Sequence, residues 1–85
     1  MIFTQLQEAE LAHARDKHPP LHSLHEAYAV ILEEVEEFKA EVFKQTPARD
    51  HKSIVVELAQ IAAMCQRTAE DLFHADGLGA GGIRR

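Results

Sequence analysis

The amino-acid sequence predicts an all-α protein. Apolar residues recur at spacings of three and four in three separate stretches, which is the pattern of one face of an α-helix. Prolines at Pro19-Pro20 and Pro47 separate these stretches, because proline ends or begins a helix but does not continue one. No stretch alternates apolar and polar residues as a β-strand does. We therefore expect an antiparallel helical hairpin preceded by an N-terminal helix.

The length and net charge of the chain limit the folds and functions that it can have. It has 85 residues and a formal net charge of −5. We expect one helical domain over residues 1–76 and a flexible glycine-rich tail over residues 77–85. The negative charge argues against binding to a nucleic acid polymer or an anionic membrane. No apolar run approaches the roughly 20 residues that span a membrane. Cys65 is the only cysteine, so we expect a buried thiol and, with no signal peptide evident, a cytoplasmic protein.

Local signals place the first two helices. The first is expected over residues 2–17, since His18 precedes a proline and is driven out of the helical region. The second begins at Ser23, which forms a capping box with Glu26. It is expected to run to about residue 44 or 45.

The third helix has two possible starts and one stop. Thr46-Pro47 and Asp50 both carry a capping side chain, and Pro47 also suits the first turn of a helix. At the other end, Asp76-Gly77 is expected to stop the helix, with Gly77 in the left-handed conformation.

Two apolar faces are each about five turns long, and one short first helix cannot cover both of them. The second helix carries a seam formed by Leu24, Tyr28, Ile31, Val35, Phe38 and Val42. The third helix carries a stripe formed by Ile54, Leu58, Ile61, Cys65, Ala69 and Leu72. We therefore expect identical chains to form a dimer or a tetramer, completing a bundle of the four-helix type.

Two sets of oxygen donors lie on consecutive helices. Glu33-Glu34-x-x-Glu37 belongs to the second helix, and Glu57-Leu-Ala-Gln60 follows after 19 intervening residues. A spacing of three keeps residues on one helix face, and antiparallel packing would bring the two sets together. Such oxygen donors suit a hard cation such as Mg²⁺. The alternative is a solvated acidic face, but an unpaired Glu57 would be costly at the edge of an apolar stripe.

This two-part motif resembles the signature of the MazG-like, all-α nucleoside triphosphate pyrophosphohydrolases, over roughly Leu21 to Leu72. The resemblance implies a helical subunit that forms dimers or tetramers and holds magnesium between helices. It also implies cleavage of a nucleoside triphosphate, often a deoxynucleotide, to the monophosphate and pyrophosphate. By position, it implies that Glu34, Glu37 and Glu57 are metal ligands. It assigns Glu33 to holding or deprotonating the attacking water.

Gln60 departs from the family pattern, which has aspartate at this position. A glutamine carbonyl still coordinates magnesium, so Gln60 remains the fourth expected ligand, but it carries no charge and should bind more weakly. The departure leaves a second hypothesis open. In that hypothesis the chain is a non-catalytic, acidic helical interaction module with a decayed metal site.

Four further residues are candidates for substrate contact. His25 and Tyr28 lie one turn apart on the second helix, where they could contact a base or a phosphate. Lys52 and Arg67 could contact the charges of the triphosphate. No glycine-rich phosphate loop is present, so nucleotide binding would have to run through the metal.

Overall fold

The computed structural model describes residues 2–44, 47 and 50–74, and most of this part of the chain is helical. It forms α1 (Phe3–Lys17), α2 (Leu24–Val42) and α3 (His51–Phe73). None of the residues described lies in a β-strand, which confirms the predicted all-α class. Within the same ranges, no helix is both long enough and apolar enough to cross a membrane.

Side-chain caps define where α2 and α3 begin. The Ser23 hydroxyl accepts a hydrogen bond from the Glu26 amide at 3.0 Å. The Glu26 carboxylate accepts one from the His22 amide at 2.7 Å, one residue before the position that a capping box requires. At α3, Asp50 accepts hydrogen bonds from the Lys52 amide at 3.1 Å and the Ser53 hydroxyl at 2.8 Å. Of the two predicted starts of α3, the structure therefore has Asp50.

The helix ends agree with the predictions less closely. α1 ends at Lys17 as expected, but α2 ends at Val42, a few residues early. α3 ends at Phe73, because His74 adopts the left-handed conformation, with φ 52° and ψ 44°. The predicted stop at Asp76-Gly77 and the predicted tail at 77–85 lie outside the described residues, as does Thr46.

α3 packs against both α1 and α2. The central cluster consists of Leu11, Ala63 and Met64, with partly buried apolar residues around it. Ala59 and Ala63 are completely shielded from solvent, since their small side chains let neighbouring helices approach closely. The core of the chain is therefore narrow and contains few large apolar side chains.

The predicted apolar seam of α2 is mostly exposed. Leu24, Tyr28 and Val35 face solvent, and the exposed fraction of Tyr28 is 67%. The buried residues of α2 are instead Ala27 and Glu41. α3 thus covers a face of α2 that is rotated away from the seam.

The predicted stripe of α3 differs from its buried face in the same way. Leu58 is 39% exposed, whereas its neighbour Ala59 is completely buried. Cys65 is exposed as well, so the expectation of a buried thiol is wrong for the single chain. The physical reason is that α1 and α2 cover the alanine side of α3 and leave Cys65 outside that contact.

Polar contacts tie the segment between α1 and α2 to α3. Asp71 accepts a hydrogen bond from the Leu21 amide at 2.9 Å and pairs with Arg15 at 2.8 Å. The buried Arg67 donates a hydrogen bond to the Pro19 carbonyl at 2.8 Å. Burial opposes ionisation of Asp71, but the Leu21 amide and Arg15 outweigh it and hold the pKa of Asp71 below its usual value. These contacts hold the end of α1 in place along α3.

Candidate metal centre

Three carboxylates of α2 converge. One oxygen atom each from Glu33, Glu34 and Glu37 lies within 4.8 Å of the other two. Glu33 and Glu37 are exposed and Glu34 is partly buried. Because the three are separated by one, three and four positions, they share one side of the helix. The structure thus brings together three of the residues that the motif singled out.

α3 places Glu57 beside this group. Atom Oε2 of Glu57 and atom Oε2 of Glu34 are both buried, and neither has a hydrogen-bond partner among the described residues. A buried acceptor left unsatisfied costs about 1–3 kcal/mol, and more when it carries charge. Two such oxygens from neighbouring helices therefore mark a place where a cation or a proton is favoured.

The electrostatics of the cluster agree with this geometry. Burial, together with the charges of Glu37, Glu57 and Glu33, raises the pKa of Glu34 to about 7. Burial and the charge of Glu37 also raise the pKa of Glu57. Without a counter-ion, the charged form of Glu34 is therefore disfavoured relative to an ordinary carboxylate. A bound divalent cation would favour the charged form.

The chemistry of the donors fits magnesium. The cluster in the described part of the chain consists of carboxylates, and the nearby Gln60 has an amide oxygen. Hard oxygen donors are the ligands that Mg²⁺ prefers, whereas zinc sites are built mainly from histidine and cysteine. The residues present are compatible with the magnesium that the motif implies.

Gln60 is partly buried and makes an unforeseen contact with α1. Its Nε2 atom donates a hydrogen bond to Oε1 of Glu10 at 3.1 Å. Gln60 also borders the same cavity as Glu33 and Glu34. The position that departs from the family pattern is therefore linked to a carboxylate on a third helix.

A cavity of about 350 Å³ lies against the carboxylates. Its walls come from all three helices and from the segment before α2. α2 and α3 contribute Glu33, Glu34 and Gln60, among others. α1 and the residue after it contribute Glu10, His13, Ala14, Lys17 and His18.

Sequence reasoning did not single out the α1 wall of this cavity. A signal was present, because Glu10, His13, Ala14 and Lys17 recur at spacings of three, one and three and therefore share a helix face. The sequence around these residues does not distinguish their helix face from an ordinary solvated face. The face borders a cavity only because α1 packs on α3.

The four predicted substrate residues are separated in the structure. Arg67 lines the cavity and is 4% exposed. His25, Tyr28 and Lys52 are exposed and are not among the described residues that line it. Within one chain, Arg67 is therefore the predicted contact that borders the cavity.

Comparison with known proteins gives no match for this chain, whether the comparison is with family models, with curated proteins or with solved structures.

Proposed function

We propose that this chain is a magnesium-dependent nucleoside triphosphate pyrophosphohydrolase. It would convert a (deoxy)nucleoside triphosphate and water to the monophosphate and pyrophosphate, in housekeeping of the nucleotide pool. One observation carries the proposal: Oε2 of Glu34 and Oε2 of Glu57 are buried with no hydrogen-bond partner among the described residues, and Glu34 borders a cavity that residues of all three helices line. The cavity volume of about 350 Å³ is within the range of small-molecule sites.

Glu34, Glu37, Glu57 and Gln60 would hold the magnesium ion. When bound there, the ion supplies positive charge that offsets the charge of the phosphate oxygens and of the departing pyrophosphate. Binding would also satisfy the two buried oxygens and remove the repulsion within the cluster.

Glu33 is the residue proposed to act on water. It is exposed, belongs to the carboxylate cluster and borders the cavity. A carboxylate in this position accepts a proton from water as the water oxygen attacks the α-phosphorus. The bond from the α-phosphorus to its bridging oxygen then breaks, and its electron pair leaves with pyrophosphate. Glu33 passes its proton to solvent.

Basic residues of the cavity would bind the phosphates. Lys17, His13 and His18 line it from the α1 side, and Arg67 lines it from α3. Among these, Lys17 is an exposed lysine whose ammonium group offers three hydrogen-bond donors, so it is the proposed main contact. His25, Tyr28 and Lys52 would contact a nucleotide only where it extends beyond this cavity.

We also propose that α2 and α3 form an antiparallel hairpin and that hairpins from identical chains associate. Contacts near both ends support the hairpin: the Asp50 amide donates to Glu41 at 3.0 Å, and the Leu21 amide donates to Asp71 at 2.9 Å. The exposed part of the α2 seam supports association, since burying apolar surface contributes roughly 25 cal/mol per Å². A dimer or a tetramer would complete a four-helix-type bundle.

An assay of pyrophosphate release tests the proposed reaction. The parent protein is incubated with canonical and modified triphosphates, with magnesium or with a chelator. We expect release only with magnesium, and we expect Glu33→Gln to slow it by about 10²- to 10⁴-fold. Glu36→Gln is the matched control, because Glu36 is an exposed carboxylate on the same helix and lies outside the cluster. No release from any triphosphate would reject the enzyme and favour the non-catalytic interaction module.

A further inference from the structure

Glu10 is a carboxylate of α1 that reaches the candidate metal centre. It is partly buried, and its Oε1 accepts the hydrogen bond from Gln60 Nε2 at 3.1 Å. The two residues are 50 positions apart and lie on different helices. Glu10 also borders the cavity that Glu33 and Glu34 border.

Glu10 lies near the expected ligands without belonging to the three carboxylates that converge within 4.8 Å. It is hydrogen-bonded to Gln60 and borders the same cavity as Glu34. A cation between α2 and α3 would therefore have carboxylates of three helices near it, rather than of the two that carry the motif.

Residues 10 and 60 are chemically matched. An ionised carboxylate accepts hydrogen bonds but donates none, whereas a glutamine amide donates through its nitrogen. Gln60 can therefore hold Glu10 close to the other carboxylates. An aspartate at position 60 could not donate and would repel Glu10.

We propose that Glu10 supplies the fourth carboxylate charge of the magnesium centre, in place of a carboxylate at position 60, and that Gln60 positions it. This inference rests on the proposed function, because it requires the centre to bind a divalent cation. It draws independent support from the buried, unpartnered Oε2 atoms of Glu34 and Glu57, which take no part in the bond between Glu10 and Gln60. The presence of glutamine at position 60, where the pattern has aspartate, then moves a carboxylate charge to Glu10 and does not remove it from the centre.

The inference has a structural consequence. Because Glu10 belongs to α1, a cation that interacts with it draws α1 towards the carboxylates of α2 and α3. α1 is also the helix that supplies His13 and Lys17 to the cavity wall. Binding of magnesium would therefore bring the wall that is proposed to receive the phosphates closer to the carboxylates.

The test is a double-mutant cycle with two measurements. Magnesium alone is titrated by calorimetry into the parent, Glu10→Gln, Gln60→Asp and the double variant. We expect Glu10→Gln to weaken binding about tenfold or more, and the double variant to recover to within about threefold of the parent, because it restores the charge at the neighbouring position. Glu8→Gln, an exposed carboxylate of α1, is the control and should keep the parent affinity.

The second measurement needs no cation. In chelator, Gln60→Asp should lower the melting temperature when Glu10 is present, and should lower it less in the Glu10→Gln background. If Glu10→Gln does not fold, the double variant still tests the proposal. Its magnesium affinity should stay within about threefold of the parent, and a loss of about tenfold or more would overturn the proposal.

The possible results separate the inference from the function it rests on. A parent that binds no magnesium overturns both. A parent that binds magnesium, with Glu10→Gln indistinguishable from Glu8→Gln, overturns the role of Glu10 and leaves the centre intact. Weakening by Glu10→Gln without recovery in the double variant also overturns it, since residue 60 would then not stand in for residue 10.

Discussion

The two faces of α3 differ in what covers them. The face towards α1 and α2 buries Ala63 and Met64 together with one charged residue, Arg67. The other face exposes Leu58 and Cys65. One chain thus covers the face of α3 that borders the cavity and leaves apolar side chains of the other face in water.

The difference shows what each face still lacks. On the covered face, Arg67 has a partner in Asp71 at 3.7 Å and a second in the Pro19 carbonyl. The Oε2 atoms of Glu34 and Glu57 have no partner among the described residues, so negative charge next to this face lacks a counter-ion. The open face lacks only apolar side chains to pack against. A cation would neutralise the carboxylates, and a second chain would cover the open face.

The largest expected effect is on the open face. Leu58→Glu places a charge where two chains are proposed to meet, and desolvating an unpaired charge is costly. We expect the parent to be a dimer or larger and the variant to be a monomer of 9.5 kDa by light scattering. Thr4→Glu adds the same charge at an exposed position of α1 and should leave the assembly unchanged. A monomeric parent at micromolar concentration would remove the basis for the proposed bundle.

Substitution of Arg67 and of Arg15, which both pair with Asp71, tests how much burial adds to stability on the covered face. Arg67→Met takes a buried donor away from the Pro19 carbonyl, whereas Asp71 keeps the Leu21 amide and Arg15, so we expect a loss of about 1–3 kcal/mol. Arg15→Met removes a more exposed partner of the same carboxylate, for which about 0–1 kcal/mol is typical. Urea denaturation measures both free energies of unfolding. Equal losses would mean that burial does not distinguish the two pairs.

Magnesium should stabilise the covered face. A ligand that binds only the folded state at ten times its Kd adds about 1.4 kcal/mol to the free energy of unfolding. The melting temperature should therefore rise with millimolar magnesium, and it should rise less with sodium at the same ionic strength. Equal shifts in the two salts would indicate screening of a solvated acidic surface.

The covered face should also give a pH dependence in the absence of metal. The fold raises the pKa of Glu34 from its ordinary value of 4.5 to about 7. The folded state therefore binds more protons between these values, and stability should fall as pH rises from 4.5 to 7. Glu34→Gln should flatten this slope, and Glu36→Gln should not. Asp71, whose pKa is lowered, acts below this window, since its contribution is lost only as pH falls.

The sequence predicted the local features of the chain well. Helix starts depend on hydrogen bonds between residues that are three or fewer positions apart, so Ser23 and Asp50 were recognisable as caps. The convergence of Glu33, Glu34 and Glu37 follows from helix periodicity alone. The stop of α3 was placed late, because the left-handed residue is His74 and no residue type marks it.

Which face of each helix is buried was decided only by the tertiary structure. Apolar periodicity locates the most hydrophobic face, but burial depends on which neighbours one chain has available to cover it. Here α1 and α2 lie on the alanine side of α3, so Leu58 and Cys65 remain exposed.

The sequence by itself determined three helices, the caps that begin α2 and α3, and an acidic cluster on α2, because all of these arise from interactions within a few residues. Tertiary structure alone decided that Arg67 is buried, that Lys17 borders a cavity and that Glu10 meets Gln60. The physical reason is distance along the chain. A hydrogen bond between residues 50 positions apart produces no pattern in the sequence of either helix. It forms only because α1 packs on α3.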